Sequence, residues 1–135
     1  ALFGFQVPVA SAAGAGKNLV IRGVRIETMN LGAAVATTAT VLQWGLGVGS
    51  TAVSLATADS ATAGTRAPRR ITLGVQAFAI GAAIGSVAAL IDVNLDAPLY
   101  VAAGTFVHVI LKMPVGTATA SQIIRGTVLI NGFWE

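Results

Sequence analysis

The sequence predicts an all-β fold, a jelly-roll-like antiparallel β-sandwich of about eight strands with an extended N-terminal arm. Three observations predict it. Alanine, valine and threonine dominate, while glutamate and lysine, on which helix surfaces depend, are scarce. Apolar residues alternate with a period of two along many runs. Glycine, proline and small polar residues separate these runs into short pieces.

The composition limits the classes of function. The chain has 135 residues, which is one domain's length. Only 10% are charged, against about 25% in ordinary soluble domains. We therefore expect some apolar surface to meet a partner, a membrane or further copies of the chain. The absence of cysteine excludes disulfides, and the 55% hydrophobic content excludes intrinsic disorder.

The first residues divide the chain into an arm and linker over 1–17 and a β-sandwich domain over 18–135. Phe3 and Phe5 lie at alternate positions before a stretch of small residues. Two interpretations stay open. The segment is either an arm that docks on a neighbouring subunit or an edge strand of its own domain.

The next two runs predict strands. Over 18–31 the apolar residues change parity at Arg22-Gly23, which predicts a β-bulge because one extra residue exchanges the two faces. Over 33–48 both faces are apolar or threonine, with Trp44 on one of them, which predicts a strand buried on both sides.

The glycines that follow do not form a phosphate-binding loop, because neither the lysine nor the helix of such a loop is present. A short strand is predicted over 51–56, and a polar loop over 57–68. Arg66, Arg69 and Arg70 form the most basic cluster of the chain. We interpret it as a solvated loop, with contact to a phosphate or an acidic partner as the alternative. Nucleic acid is not expected, since no aromatic residues alternate with these arginines.

Residues 71–91 present the main ambiguity. The run carries no charge, follows a basic segment and contains a GxxxG pattern from Gly81 to Gly85, all typical of a membrane helix. However, Ile71, Leu73 and Val75 alternate with polar or small residues. This period of two favours two strands joined by a turn at Gly81.

Two groups of polar residues receive structural interpretations. Asp92, Asn94 and Asp96 have the spacing of half a calcium loop, but the glycine and glutamate that complete such a loop are missing, so we interpret them as the polar side of a strand. His108 alternates with Phe106 and Ile110 and is expected to be a packed, hydrogen-bonded side chain. No metal or cofactor is predicted.

The C-terminal third holds the clearest strand patterns. Glycine and threonine at 104–105 separate two strands within 99–113, and a last strand covers 123–134. In that strand Val128, Ile130 and Trp134 share one face, and Leu129 and Phe133 share the other. A tryptophan next to the terminus predicts that the C-terminus is packed down.

The motifs of known enzymes are missing from the sequence: there is no GxSxG, no HExxH and no paired carboxylates. We therefore expect no enzymatic activity. The segments APLYVAAGTFVHVILKMPVGTATASQ and IRGTVLINGFWE, with the alanine, threonine, valine and glycine composition, resemble small virion proteins of tailed bacteriophages.

The resemblance implies a capsid decoration, or cement, protein. Such a protein would be a homo-oligomer, commonly a trimer, on the capsid surface of the virion, with the major capsid protein as its partner and no small-molecule substrate. Phe3 and Phe5 would anchor the arm, and Arg66, Arg69 and Arg70 would make loop contacts.

Two alternatives are kept. One is a receptor-binding tail or fibre head domain, for which Trp44, Tyr100 and Trp134 are the aromatic candidates for stacking on sugars, with two of the three expected to be buried. The other is a membrane protein that spans at 71–91.

Overall fold

The computed structural model describes residues 3–9, 16–32, 39–49, 69–115 and 123–135. Within these ranges the protein is all-β, as predicted, and contains no helix. Seven strands are present: β1 (Phe3–Gln6), β2 (Leu19–Asn30), β3 (Thr40–Gly49), β4 (Arg69–Phe78), β5 (Ile91–Val101), β6 (Phe106–Val115) and β7 (Ile124–Trp134). The strand predicted over 51–56 and the loop predicted over 57–68 lie outside the described residues.

The strands form two antiparallel sheets, which confirms the predicted sandwich class. The four-stranded sheet has the order β1-β6-β3-β4, and the three-stranded sheet has the order β5-β2-β7. Three pairs are nested along the chain: β1 with β6, β2 with β5, and β3 with β4. The jelly-roll connectivity and the eighth strand remain predictions, since a full jelly roll has eight strands.

The core lies between the two sheets and consists of β-branched and leucine side chains around one tryptophan. Leu42, Trp44 and Leu46 alternate on β3 and are all fully buried. Val24 and Ile26 contribute the facing side of β2. The period-two pattern thus places one face of each strand inward. The opposite face of β3 is less buried than predicted, because Gln43 is exposed.

The described strand pairings contain three register shifts, one of which lies between Val41 and Gln43 where β3 pairs with β6, and the other two bear on the sequence predictions. The first shifts the pairing of β2 between Ile21 and Gly23, at the position that the sequence predicts. The second lies where β3 pairs with β4, next to Gly74, whose φ is 148°. It exchanges the faces of β4, so Val75 is exposed and Gln76 is buried. The prediction that Val75 shares a face with Leu73 is therefore wrong.

Residues 71–91 form neither a helix nor two complete strands. They comprise most of β4, the connection 79–90 and the first residue of β5. The membrane-helix alternative is thus contradicted, and none of the described segments is a helix able to cross a bilayer. The second predicted strand begins late, because residues 86–90 pair only through the isolated bridge between Met29 and Val87.

The C-terminus is held by backbone pairing and not by the packing that the sequence predicted, because Trp134 is 48% exposed. Asn18 and Glu135 exchange two backbone hydrogen bonds of 2.7 and 2.9 Å. The residue that follows β7 is thereby paired with the residue that precedes β2.

Candidate interaction surface

The sandwich has two unlike sides. On one, which we call the closed side, β4 and β5 are the edge strands and the connection 79–90 joins them. On the other, which we call the open side, β1 and β7 are the edge strands. Because neighbouring elements decide whether an edge is covered, the two sides differ in what they can bind.

A buried amide organises the closed side. The carbonyl oxygen of Gln76 accepts hydrogen bonds from Trp44 Nε1 at 2.8 Å and from Thr28 Oγ1 at 2.9 Å. The Gln76 amide nitrogen donates to the carbonyl of Ala89 in the connection 79–90. A single side chain therefore joins three strands to the connection, and its buried polar groups are satisfied.

The connection is also bound to the end of β2. The Asn30 side chain donates to the carbonyl of Ala82 at 3.3 Å, and the Asn30 backbone N–H donates to that of Ser86 at 2.9 Å. The N–H of Gly85 in turn donates to the Asn30 carbonyl at 2.7 Å. Backbone pairing thus orders a segment that contains no strand of its own.

This ordered connection carries apolar side chains outward. Ile80, Ile84, Val87 and Leu90 are all exposed, and Ile84 retains 66% of its accessible surface. We call these four residues the loop patch. Because neighbouring residues of the connection are hydrogen-bonded to β2, a partner that covered the loop patch would lose little entropy in ordering it.

The open side contains an apolar groove instead of a polar network. It has a volume of about 290 Å³, and its lining residues come from β1, β2 and β7: Phe5, Leu19, Val128, Ile130, Gly132 and Trp134. Trp134 is 48% exposed. The inner face of β7 is therefore only partly covered by its own chain.

The outer face of the three-stranded sheet is mixed in character. Tyr100 and Phe133 flank the buried Val20 in one cross-strand row. The Arg22 guanidinium lies 5.0 Å from the centre of the Phe133 ring, within the range of a cation–π contact. One end of this face thus exposes two aromatic rings beside a fixed positive charge.

A polar groove lies on the three-stranded sheet beside the row of Tyr100, Val20 and Phe133. It has a volume of about 240 Å³ and is lined by Gly23, Val24, Arg25, Asp92, Asn94, Leu129 and Asn131. Gly23 forms its floor between Asn94 and Asn131, its partners on the two neighbouring strands. A Cβ at Gly23 would lie 2.8 Å from the Val93 carbonyl, so this close approach of strands requires glycine.

Large apolar side chains are exposed over much of the described surface. Fourteen have at least 39% of their surface exposed: Val9, Met29, Leu31, Val75, Ile80, Ile84, Val87, Leu90, Tyr100, Met113, Ile123, Leu129, Phe133 and Trp134. Five of these lie on the strands of the three-stranded sheet, and four form the loop patch. The apolar surface is thus concentrated on the three-stranded sheet and on the connection 79–90.

The predicted contact residues are not brought together. Phe3 and Phe5 belong to β1, which pairs with β6 as the edge strand of its own domain, one of the two interpretations offered above. Phe5 is half-buried and packs against the core. Arg66 lies outside the described residues. Arg69 and Arg70 begin β4 and are not part of a loop, which corrects that prediction.

The stacking candidates differ from expectation too. Trp44 is buried at 1% exposure, whereas Tyr100 is 62% exposed and Trp134 is half exposed. Only one of the three is therefore buried, and not two as expected. Trp44 is accounted for by its hydrogen bond inside the core.

His108 is packed as predicted, on β6 beside the glycine of β1 at position 4. Its ring stacks on that of Phe106 with centroids 5.9 Å apart. Neither ring nitrogen has a hydrogen-bond partner within the described part of the chain, so the predicted hydrogen bond is not seen there. Burial lowers the pKa of His108 below its ordinary value of 6.5, because desolvation disfavours the charged ring.

The acidic residues of β5 have the interpretation that the sequence favours. Asp92, Asn94 and Asp96 lie within the strand and are exposed. Among the residues that the structure describes, no three histidine or acidic side chains come close enough to hold a metal ion.

Sequence reasoning missed Gln76, the polar groove and the loop patch. Gln76 occupies a position that alternation assigns to the surface, and only the bulge at Gly74 brings it inward. The loop patch lies in a segment predicted as turn and strand. The only sequence signal for its exposure is that its four large apolar residues lie close to the two turn glycines, Gly81 and Gly85.

Comparison of the chain with protein-family models, with curated proteins and with solved structures finds no match. Function must therefore be inferred from the exposed surface of the described residues.

Proposed function

We propose that the chain is a non-enzymatic virion structural protein that decorates and stabilises a phage capsid through oligomeric apolar contacts. Its partners are copies of itself, as a trimer, and the major capsid protein. The observation that carries the proposal is the set of fourteen exposed large apolar side chains. An isolated copy of a charge-poor chain leaves that surface in water, where it favours association.

The energetics favour many contacts over one strong site. Full burial of a large apolar side chain contributes about 1.5 to 3 kcal/mol, whereas association costs on the order of 4 to 15 kcal/mol in lost motion. Several exposed side chains must therefore be covered together. A symmetric lattice offers this arrangement, because each copy meets several neighbours and the linked contacts reinforce one another.

The division of the surface supports two kinds of contact. The loop patch lies on the closed side, while β7 and its apolar groove lie on the open side. A protein that binds both its own copies and a shell needs two such regions. We assign one contact between copies, separate from the contact that builds the trimer, to β7, and we assign the contact with the shell to the loop patch.

The assignment is tested on virus particles. An antibody against the chain is applied to density-gradient fractions from cultures that produce it, and the same fractions are examined by electron microscopy. We expect the chain in the particle fraction and expect Ile84→Lys to reduce its amount there. The exposed Lys112→Ala on β6 is the control. A chain found only in fractions without particles contradicts the proposal.

A second candidate, the receptor-binding head domain, is favoured by the polar groove. Planar polar side chains of Asp92, Asn94 and Asn131 line it, and an exposed Tyr100 lies in the same outer face. Sugars are bound by such planar hydrogen-bonding groups beside an aromatic ring, and the volume of about 240 Å³ suits one saccharide unit.

A glycan array tests this candidate. Retention of one glycan class that Asn131→Ala abolishes, and that Thr127→Ala leaves unchanged, would favour the receptor-binding function. Absence of binding to every glycan would remove it.

A further inference from the structure

β7 is an edge strand of unusual composition. Of the described strands, only β2 pairs with it, so one row of its backbone groups has no strand partner within the described residues. It is 11 residues long, contains no proline, and has Arg125 as its single charged residue. Edge strands are ordinarily shortened, bent or charged to prevent pairing with another chain. This strand is neither short nor interrupted by proline, and Arg125 near its first residue is its only charge.

The sequence of β7 is symmetric about its middle residue. Ile124–Trp134 reads IRGTVLINGFW, and Leu129 is its midpoint. Residues equally far from Leu129 match in kind. Val128 and Ile130 are β-branched, Thr127 and Asn131 are small and polar, and the next pair consists of two glycines.

Of the two outermost pairs, one is alike in kind and the other joins a cation to an aromatic ring. Arg125 corresponds to Phe133, and Ile124 corresponds to Trp134. In an antiparallel pair of two identical strands, each residue faces its counterpart across the midpoint. A guanidinium would then lie opposite a phenyl ring, and two large apolar side chains would lie opposite each other.

We propose that β7 pairs with β7 of a second copy across a twofold axis at Leu129, forming one continuous six-stranded sheet. The proposal deepens the proposed function, since it rests on the association of copies and names the contact. It does not require a capsid. A twofold contact makes a dimer and joins two trimers where a threefold contact also forms.

The faces of the strand select this register. Odd-numbered residues from 125 to 133 are on the outer face, while Val128 and Ile130 point toward the core. Paired residues must share a face, so the axis passes through a residue and not between two. An axis at Leu129 uses all 11 residues, whereas an axis one residue away loses the glycine match.

The groove on the open side adds an inner contact. Val128, Ile130 and Trp134 line it and are incompletely covered. In the proposed dimer, Trp134 of one copy lies opposite Ile124 of the other on this inner face. The dimer therefore covers apolar surface on both faces of β7 and pairs the row of its backbone groups that β2 does not bind.

Single cysteines test the register, because the natural chain has none. In the dimer the two copies of Leu129 are directly opposite, with Cα atoms about 4.5 to 5.5 Å apart, close enough for a disulfide. The two copies of residue 127 are four positions apart, or about 14 Å, and cannot form one. Three purified full-length variants are oxidised: Leu129→Cys, Thr127→Cys and Asn131→Cys.

We expect Leu129→Cys to form covalent dimers at least about tenfold faster than either other variant alone. A mixture of Thr127→Cys and Asn131→Cys is expected to form mixed dimers, because these positions face each other across the axis. Equal rates for all three variants, or no dimer from Leu129→Cys, would overturn the proposal.

The two proposals fail separately. If Leu129→Cys forms no dimer while sedimentation shows that the natural chain associates, the β7 contact is wrong and association through another surface remains. If the cross-links form as expected and the chain is absent from virus particles, the contact stands and the capsid function is wrong.

Discussion

The two edges of the three-stranded sheet differ in how they meet solvent. β5 carries Asp92 and Asp96 on its exposed side and contains Pro98, which cannot donate to a further strand. β7 has neither proline nor acid and exposes Leu129, Phe133 and Trp134. One edge is protected against strand addition and the other is available for it. We therefore expect a second copy to add to the sheet at β7 and not at β5.

The closed and open sides of the sandwich also differ in what joins the two sheets. The closed side is joined by the hydrogen bonds of Gln76 and Asn30, whereas the open side ends in an apolar groove. Polar networks specify one arrangement, and apolar surface allows a further layer to be added. The closed side is thus held in one arrangement by hydrogen bonds, whereas the open side can bind a further chain.

Of the variants considered, Gln76→Leu is expected to lower the free energy of unfolding most, because it removes the Gln76 hydrogen bonds of the closed side. The change leaves Trp44 Nε1 and Thr28 Oγ1 buried without their partner and removes the part-buried hydrogen bond to the Ala89 carbonyl. Since each such group costs about 1 to 3 kcal/mol, we expect a loss of about 3 to 5 kcal/mol in the free energy of unfolding. Urea unfolding followed by Trp44 fluorescence measures it.

The matched control is Gln43→Leu, on the exposed face of β3. It should change the free energy of unfolding by no more than about 0.5 kcal/mol. Equal effects of the two variants would mean that the buried network does not stabilise the closed side.

On the open side, the two glycines of β7 are expected to respond oppositely. A Cβ at Gly132 would lie 2.2 Å from the Val20 carbonyl oxygen, so Gly132→Ala must displace β7 from β2. We expect a loss of about 1 to 3 kcal/mol. At Gly126 the nearest atom is 3.4 Å away, on the Trp44 ring, which is ordinary contact.

Gly126→Ala should therefore be neutral or stabilise by up to about 1 kcal/mol, because alanine reduces the entropy of the unfolded chain. Thermal unfolding of both variants at one protein concentration measures the difference. A larger loss for Gly126→Ala than for Gly132→Ala would show that the pairing of β7 with β2 is described wrongly.

The pH dependence of stability also belongs to the open side, where His108 packs beside β1. Burial lowers the pKa of His108 in the folded protein below its ordinary value of 6.5. As the pH falls through about 6.5, the unfolded chain therefore takes up the proton before the folded protein does. Above that pH His108 is neutral in both states, and its packing contributes fully to the free energy of unfolding. This contribution declines as the pH falls toward the lowered pKa, by at most about 1.4 kcal/mol per pH unit.

Comparison with His108→Gln isolates this effect, since the carboxylates titrate in both proteins. We expect the natural chain to lose more stability than the variant between pH 7 and pH 5. Parallel pH profiles would show that His108 is not the group that responds.

The fold was predictable wherever the pattern is local. The bulge at Gly23 could be read because the apolar residues change parity there. The bulge at Gly74 could not, since the alternation from Ile71 to Ala77 continues through it. Only partners distant in sequence, Trp44 and Thr28, explain why Gln76 is buried and Val75 is not.

The candidate surface was predictable in part. The sequence indicates which residues of 123–134 share a face, but it does not show that β7 is an edge strand. Edge position depends on which strands pair, and β2 and β7 are about a hundred residues apart. For the same reason, the sequence did not show that Arg69 and Arg70 begin β4.

The smallest expected effect on stability comes from Leu129→Lys, and this variant gives the most direct test of the account. Leu129 is 60% exposed, so the lysine should change the free energy of unfolding of a single copy by no more than about 0.5 kcal/mol. Sedimentation equilibrium of the natural chain and of this variant, over a range of concentrations, measures association alone. The account predicts that the natural chain associates and that Leu129→Lys, which places two like charges at the twofold axis, loses the twofold contact. A natural chain that stays monomeric at every concentration, or a variant that associates equally well, would contradict it.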